Sequence, residues 1–221
     1  MLTDQRHLWR ATFIFGLLTL ALFAYSTVQG VPDCGAPLPS AMLDFELALD
    51  RSQFAVVLDC APRLAALDQA NFIDLLLFMW AYGGLLTFFA LAAGVRPWLA
   101  LTLGALMVGP DFVETMTLRW IAAGWPLFDP TLVMPLAIAV RVKFVAIGAA
   151  MVLAGLQLWR GAPGMAARST ALLAVIGGVG SVAIIYPEGR MAGAALTGVA
   201  WLAITLHAGV RTLVAARSAS A

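Results

Sequence analysis

Two carboxylates stand in the run Gly109-Pro110-Asp111-Phe112-Val113-Glu114-Thr115, inside an otherwise apolar segment. Acids three residues apart share one face of a helix, and ionised side chains at membrane depth are costly enough to need partners or a task. Depth can be counted at about 1.5 Å per helical residue, which puts Asp111 about 21 Å and Glu114 about 25 Å from Pro97. The same count puts Lys143 about 24 Å and Arg141 about 27 Å from Trp159, back along the following apolar segment. Asp74 enters near the start of the preceding one. Five ionisable residues from three successive segments therefore reach one level.

Neighbouring carboxylates repel unless a cation or a proton lies between them. Arg141 and Lys143 are two residues apart and point to different helix faces, so one of them is expected to pair with Asp111 or Glu114. Asp74 would complete the cluster or cap it at the interface. Pro110 has no N–H, which frees the carbonyl of Leu106, and Gly109 loosens the same turn. Thr115 and Thr117 offer hydroxyls. Such a set can pin helices together as an ion-pair network, bind a polar headgroup or small ionic ligand, or carry protons or ions in coupled transport. An enzyme would have to use the same carboxylates as general acid and base.

The elements that must position these groups are apolar helices. Of 221 residues, 62% are hydrophobic and 11% charged, against about 25% charged in soluble domains, and the mean hydropathy is +0.93. That composition implies an integral membrane protein. A net charge of +1 and the absence of any Lys/Arg run exclude a nucleic-acid partner. No Walker loop, HExxH, dinucleotide fingerprint or Ser/His/Asp arrangement is present, so no cofactor or metal is implied.

Hydropathy divides the chain into about six spans, over residues 11–29, 71–94, 97–121, 135–159, 170–186 and 191–214. Arg6 and Arg10 precede the first, which reads as an uncleaved span rather than a signal peptide: it is long for one, and Tyr25 suits an interface. Residues 30–70 form the one long polar segment. Pro32, Pro37 and Pro39 make its start irregular, Ser40 and Ser52 are placed to cap two short helices, and Pro62 suits the first turn of a third that can run on into the second span. Met42, Phe45 and Leu49 recur at helical spacing, so the segment reads as an amphipathic cap on the bundle. A ligand-gating lid is the sharper alternative. Cys34 and Cys60 both lie there, and a disulfide between them needs an oxidising compartment. Such a bridge stabilises by roughly 3 kcal/mol in the chain-entropy account.

Orientation follows from the arginines. With the N-terminus inside, Arg6, Arg10, Arg96, Arg160, Arg168, Arg211 and Arg217 face the cytoplasm, while Arg51, Arg63, Arg119 and Arg190 fall outside. The acidic cysteine segment also falls outside, so both termini are expected to be cytoplasmic. Gly177/Ser181 and Gly189/Gly193 are pairs of small residues four apart, which let helix backbones approach closely. Packing within the chain is the first expectation for these faces and homodimerisation the second. His7 is expected to be solvated, His207 to be a hydrogen-bonded structural residue, and Trp80 and Tyr82 to pack.

The order of short motifs resembles a group of bacterial polytopic inner-membrane proteins with no established activity. The motifs are DFELA at Asp44–Ala48, FIDLLLFMWAY at Phe72–Tyr82, DFVE at Asp111–Glu114 and VRVKF at Val140–Phe144. The resemblance spans about residues 40–158 and treats Asp74, Asp111, Glu114 and Lys143 as one set; Thr115 departs from the Asn that follows the Glu in that group.

The sequence thus predicts an all-α, polytopic transmembrane bundle forming a single membrane domain over residues 1–221, with a short helical extracytoplasmic cap. Its expected role is that of a membrane-embedded binding or accessory protein. It would engage a lipid headgroup, small amphiphilic ligand or membrane partner through Asp74, Asp111, Glu114 and Arg141 or Lys143. A small proton-coupled transporter and a membrane-embedded enzyme on a lipid-like substrate are the alternatives.

Overall fold

The computed structural model describes residues 4–29, 32, 34, 41–161 and 164–217. Among these described residues nine α-helices follow in chain order: α1 (Gln5–Gln29), α2 (Ala41–Glu46), α3 (Arg51–Leu58), α4 (Ala61–Ile73), α5 (Met79–Ala92), α6 (Pro97–Gly124), α7 (Val133–Gly161), α8 (Met165–Ala183) and α9 (Arg190–Arg217). No strand occurs among the described residues. Six helical stretches among the described residues are long and apolar enough to cross a membrane, and α4 and α5 together form one of them, Ala61–Ala92.

That second span starts about ten residues before the apolar run does, because α4 does not stop where its polar residues end. Asp74–Phe78 form a single wide π-helical turn that joins α4 to α5, and the Met79 N–H reaches back five residues to the Asp74 carbonyl. A wide turn absorbs one extra residue and rotates everything after it. The span ends in a tight hairpin. Gly94, at φ 91°, follows the last turn; its N–H donates to Leu91 O and that of Val95 to Ala90 O. This glycine-closed end needs the left-handed conformation, and Pro97 opens α6 three residues later.

Each span packs against its sequence neighbours, and α1 closes the ring by packing against both α5 and α9. α5 also touches α7, which brings spans two, three and four around one interior. α8 lies between α7 and α9 at van der Waals closeness. A Cβ on Gly178 would stand 2.7 Å from the Gly148 carbonyl oxygen, and one on Gly148 would stand 2.6 Å from the Gly178 oxygen. On the same side the Ser181 hydroxyl donates to Phe144 O of α7 at 3.2 Å, while Gly177 and Gly180 face Ala200, Leu196 and Gly193 of α9. Gly189 lies against the Ala183 carbonyl. The small-residue faces of Gly177/Ser181 and Gly189/Gly193 are therefore occupied within the chain.

The cap consists of α2, α3 and the start of α4. Cys34 and Cys60 are joined in a disulfide across 26 residues. α3 is capped by Asp50 rather than Ser52. Asp50 has the extended backbone an N-cap needs, and its carboxylate accepts from the Gln53 N–H at 3.0 Å, whereas Ser52 already lies inside the first turn and donates its hydroxyl to Asp50. Those hydrogen bonds hold the Asp50 carboxyl below the usual carboxylate range. Ser40, Pro37 and Pro39 lie outside the described residues. Phe45 and Phe54 are fully buried and meet edge to face at 6.0 Å, with Phe128 of the α6–α7 loop 5.5 Å beyond.

Four basic residues attach this cap. Arg190 at the start of α9 pairs with Asp44, and Arg119 Nε lies 3.1 Å from Asp68. Arg63 is 3% exposed and donates to Pro32 O and Val56 O. Arg51 stands 5.9 Å over the Trp125 ring, whose indole N–H donates to Asp59 at 2.9 Å. The cap is thus tied to both sides of the bundle mouth.

The α7–α8–α9 packing yields a paired test. Gly178→Val should lower stability by about 1–3 kcal/mol, the usual cost of overpacking a full interior. Gly198 has no atom within 4 Å of its Cβ position, so Gly198→Ala should be neutral or stabilising by up to about 1 kcal/mol. Thermal unfolding in detergent reads both.

Candidate functional site

Asp111 and Glu114 project from one face of α6 into the interior, 2% and 1% exposed. Lys143 comes from α7, the antiparallel neighbour, and is 6% exposed. Its Nζ lies 3.0 Å from Asp111 Oδ1 and 2.7 Å from Glu114 Oε1. The third ammonium hydrogen is directed to Glu46 Oε2 of α2 at 3.3 Å, and Glu46 is itself 9% exposed. All three donors of the ammonium thus end on carboxylates.

α5 closes the other side. The Tyr82 hydroxyl donates to Asp111 Oδ2 at 2.7 Å and lies 3.3 Å from Met107 O. Its ring stacks on Trp201 of α9, with centroids 5.8 Å apart and planes within 7°. At the wide turn, Asp74 Oδ2 accepts from the Thr115 hydroxyl at 2.8 Å. Asp74 and Tyr82 are eight residues apart, which leaves them some 80° apart on a regular helix. The π turn absorbs one residue, and the pair then behaves as i and i+7 on one face. That local widening lets one span supply both the fourth acid and the phenol.

Magnitudes show what the arrangement lacks. At an effective dielectric of about 20, two unit charges about 3 Å apart attract by about 5 kcal/mol before desolvation. Removing each ion from water costs several kcal/mol. Three such contacts cover the ammonium amply, but its single charge is shared among the acids. Glu46, Asp74, Asp111 and Glu114 set against Lys143 leave a formal charge of −3 if all four acids are ionised. Glu114 Oε2, 2.6 Å from Nζ but off the hydrogen-bond axis, has no hydrogen-bond donor. The excess can be neutralised by bound protons or by positive charge from outside. No group of three or more His, Cys, Asp or Glu side chains among the described residues could hold a metal ion.

Of the five residues singled out from the sequence, the structure brings together Asp111, Glu114 and Lys143, with Asp74 beside them through Thr115. Arg141 does not join. It points to another face of α7 and donates to the carbonyl of Ala137, one turn back on its own helix, at 2.8 Å. Met107 O is the backbone acceptor that the Tyr82 hydroxyl approaches, while Leu106 is 42% exposed. Thr117 likewise bonds its own helix, at Val113 O. Two members escaped the sequence reading. Tyr82 reads in the sequence as a packing residue, and its place depends on a turn that no sequence pattern announces. Glu46 follows Phe45 and stands four residues after Met42, so it flanks the buried stripe of α2. That spacing was the available signal. His207 lies edge-on to Trp9 at 5.2 Å, and its Nε2 has no hydrogen-bond partner, contrary to the hydrogen-bonded role expected of it.

No family model, curated protein or solved structure matches the chain. The site therefore has to be interpreted from its own geometry.

Removing the one cation should be the most damaging single change. Lys143→Met is expected to cost about 3–5 kcal/mol, since it strands buried carboxylates. Combining it with Glu46→Gln, Asp111→Asn and Glu114→Gln should restore most of that loss, as measured by unfolding in detergent.

Proposed function

We propose that this is a membrane-embedded binding or accessory protein of the bacterial inner membrane, whose cap-covered carboxylate cluster engages positive charge at the outer leaflet. The favoured ligand is the protonated amine of a small amphiphile or lipid headgroup, or a cationic side chain of a membrane partner. One observation carries the reading: three acids from the bundle and the cap share a single lysine, and a fourth, Asp74, lies beside them through Thr115. A cluster built only to pin helices would be better served by matched charges, because each unmatched buried ion is destabilising. Glu46 ties the site to the cap, so the admission of a ligand would move α2 and exchange the Glu46–Lys143 contact for one to the ligand. The orientation is supported by the Cys34–Cys60 disulfide, which suits an oxidising compartment on the cap side.

Proton-coupled transport draws on the same excess of acid. It is the weaker reading, because the spans carry no further acids between the cluster and the opposite membrane face.

Trp201, stacked on Tyr82, supplies a nearby fluorophore. Titrating a medium-chain primary alkylamine into the protein in nonionic micelles should change tryptophan fluorescence saturably, and the matching alcohol should not. Asp111→Asn combined with Glu114→Gln should weaken that response by about tenfold or more, the loss of a charge-assisted hydrogen bond. An equal response to the alcohol would sink the reading. Reporter fusions provide a separate check on orientation: a fluorescent protein that matures in the cytoplasm should light up at either terminus and stay dark when inserted in the cap.

A further inference from the structure

A second polar feature lies outside the cluster, on the flank of the bundle. α4 and α6, toward their cap-side ends, line a groove of about 670 Å³ with Leu64, Ala65, Asp68, Met116, Arg119 and Trp120 among others. Its depth in the membrane follows from helix length. The 28 residues of α6 span about 42 Å, against a hydrocarbon core of about 30 Å. If α6 is centred, about 6 Å of it projects at each end. Arg119 and Trp120 stand four to five residues before Gly124, or about 6–8 Å from that end. They are thus level with the boundary between acyl chains and headgroups, where Trp120 is 59% exposed, as interfacial tryptophans are.

The charges in the groove are arranged as a pair with capacity left over. Arg119 gives its Nε to Asp68 Oδ1 at 3.1 Å, and its ring neighbour is Phe72, 5.4 Å away. Its two terminal amino groups have no hydrogen-bond partner among the described residues, and the side chain is 31% exposed. A guanidinium in this state presents a fork that fits a phosphate. Asp68, 50% exposed beside it, offers carboxylate to an ammonium. Leu64, Ala65, Met116 and Trp120 supply an apolar wall next to both charges.

We infer that this groove is a binding site for a phospholipid with a primary-amine headgroup, its phosphate on Arg119, its ammonium on Asp68 and an acyl chain against Met116 and Trp120. The assignment is independent of what the central cluster binds. A phosphatidylethanolamine answers each part of the groove: an anionic phosphate, a hydrogen-bond-donating cation a few bonds away, and a hydrocarbon tail at the right depth. Phosphatidylglycerol lacks the cation, and phosphatidylcholine has one that cannot donate.

The test is native mass spectrometry of the full-length protein, reconstituted in bilayers of equal parts phosphatidylethanolamine, phosphatidylglycerol and phosphatidylcholine and released in mild detergent. The wild type should retain one phosphatidylethanolamine in about tenfold preference to the other two, the discrimination expected from one charge-assisted hydrogen bond. Arg119→Gln should lose that preference through loss of the phosphate contact, and Asp68→Asn should make phosphatidylethanolamine and phosphatidylcholine equivalent. Equal retention of the three lipids by the wild type would overturn the assignment without recourse to any variant. So would displacement by millimolar inorganic phosphate, which would mark a free-anion site, and so would loss of the lipid in Glu114→Gln alone, which would move it to the cluster.

Discussion

A single buried ammonium has to be shared by more carboxylates than it can neutralise, and most of the architecture serves that arrangement. Lys143 uses all three donors on Glu46, Asp111 and Glu114, each from a position the chain had to bring to it. Asp111 and Glu114 come ready spaced on α6. Lys143 requires α7 to return antiparallel beside α6, and Glu46 requires the cap to fold down onto the bundle. Burial strengthens each contact, and it also makes the unmatched negative charge expensive. A site of this kind is poised to take up positive charge, and that property underlies its assignment as a binding site.

The cap belongs to this electrostatic arrangement. Two of its acidic residues, Asp68 and Asp44, are paired with Arg119 and Arg190, while Arg51 and Arg63 donate to the backbone carbonyls of Pro126 and Val56. These are the four arginines assigned from the sequence to the extracytoplasmic side, where basic residues are otherwise sparse. Here they are not free surface charge; each fastens the cap or the start of α4. The disulfide closes the same segment covalently. Glu46 is consequently presented to Lys143 by a cover with several independent attachments, while α2 itself is a helix of six residues that can move without unravelling a span.

Behind the cluster, α7, α8 and α9 pack glycine to glycine, with Gly148 against Gly178 and Gly180 against Gly193. In a membrane the hydrophobic effect does little to drive helices together, and close backbone approach and its dispersion contacts take its place. This block keeps α7, and hence Lys143, at a fixed position. In the second span, by contrast, the wide turn at Asp74–Phe78 interrupts the regular ladder next to the site.

The spans, the amphipathic cap and the shared face of Asp111 and Glu114 were legible in the sequence, because hydropathy and the helical repeat are local properties. The cysteine pair was equally plain, as both thiols stand in the one long polar segment. The choice between Lys143 and Arg141 was not legible. Two residues apart on one helix, they differ by a rotation whose zero is set by how α7 packs on α6 and α8. Tyr82 was hidden for a related reason, since one extra residue in a π turn rotates the helix after it and leaves no compositional mark. Glu46 lay in a segment that looked merely acidic, and its partner Lys143 stands 97 residues further along the chain. Hydropathy and the helical repeat are enough to say which residues lie at membrane depth and on which face of their own helix. Which faces meet came from the fold, because rotation and register between helices are set by packing contacts distant in sequence.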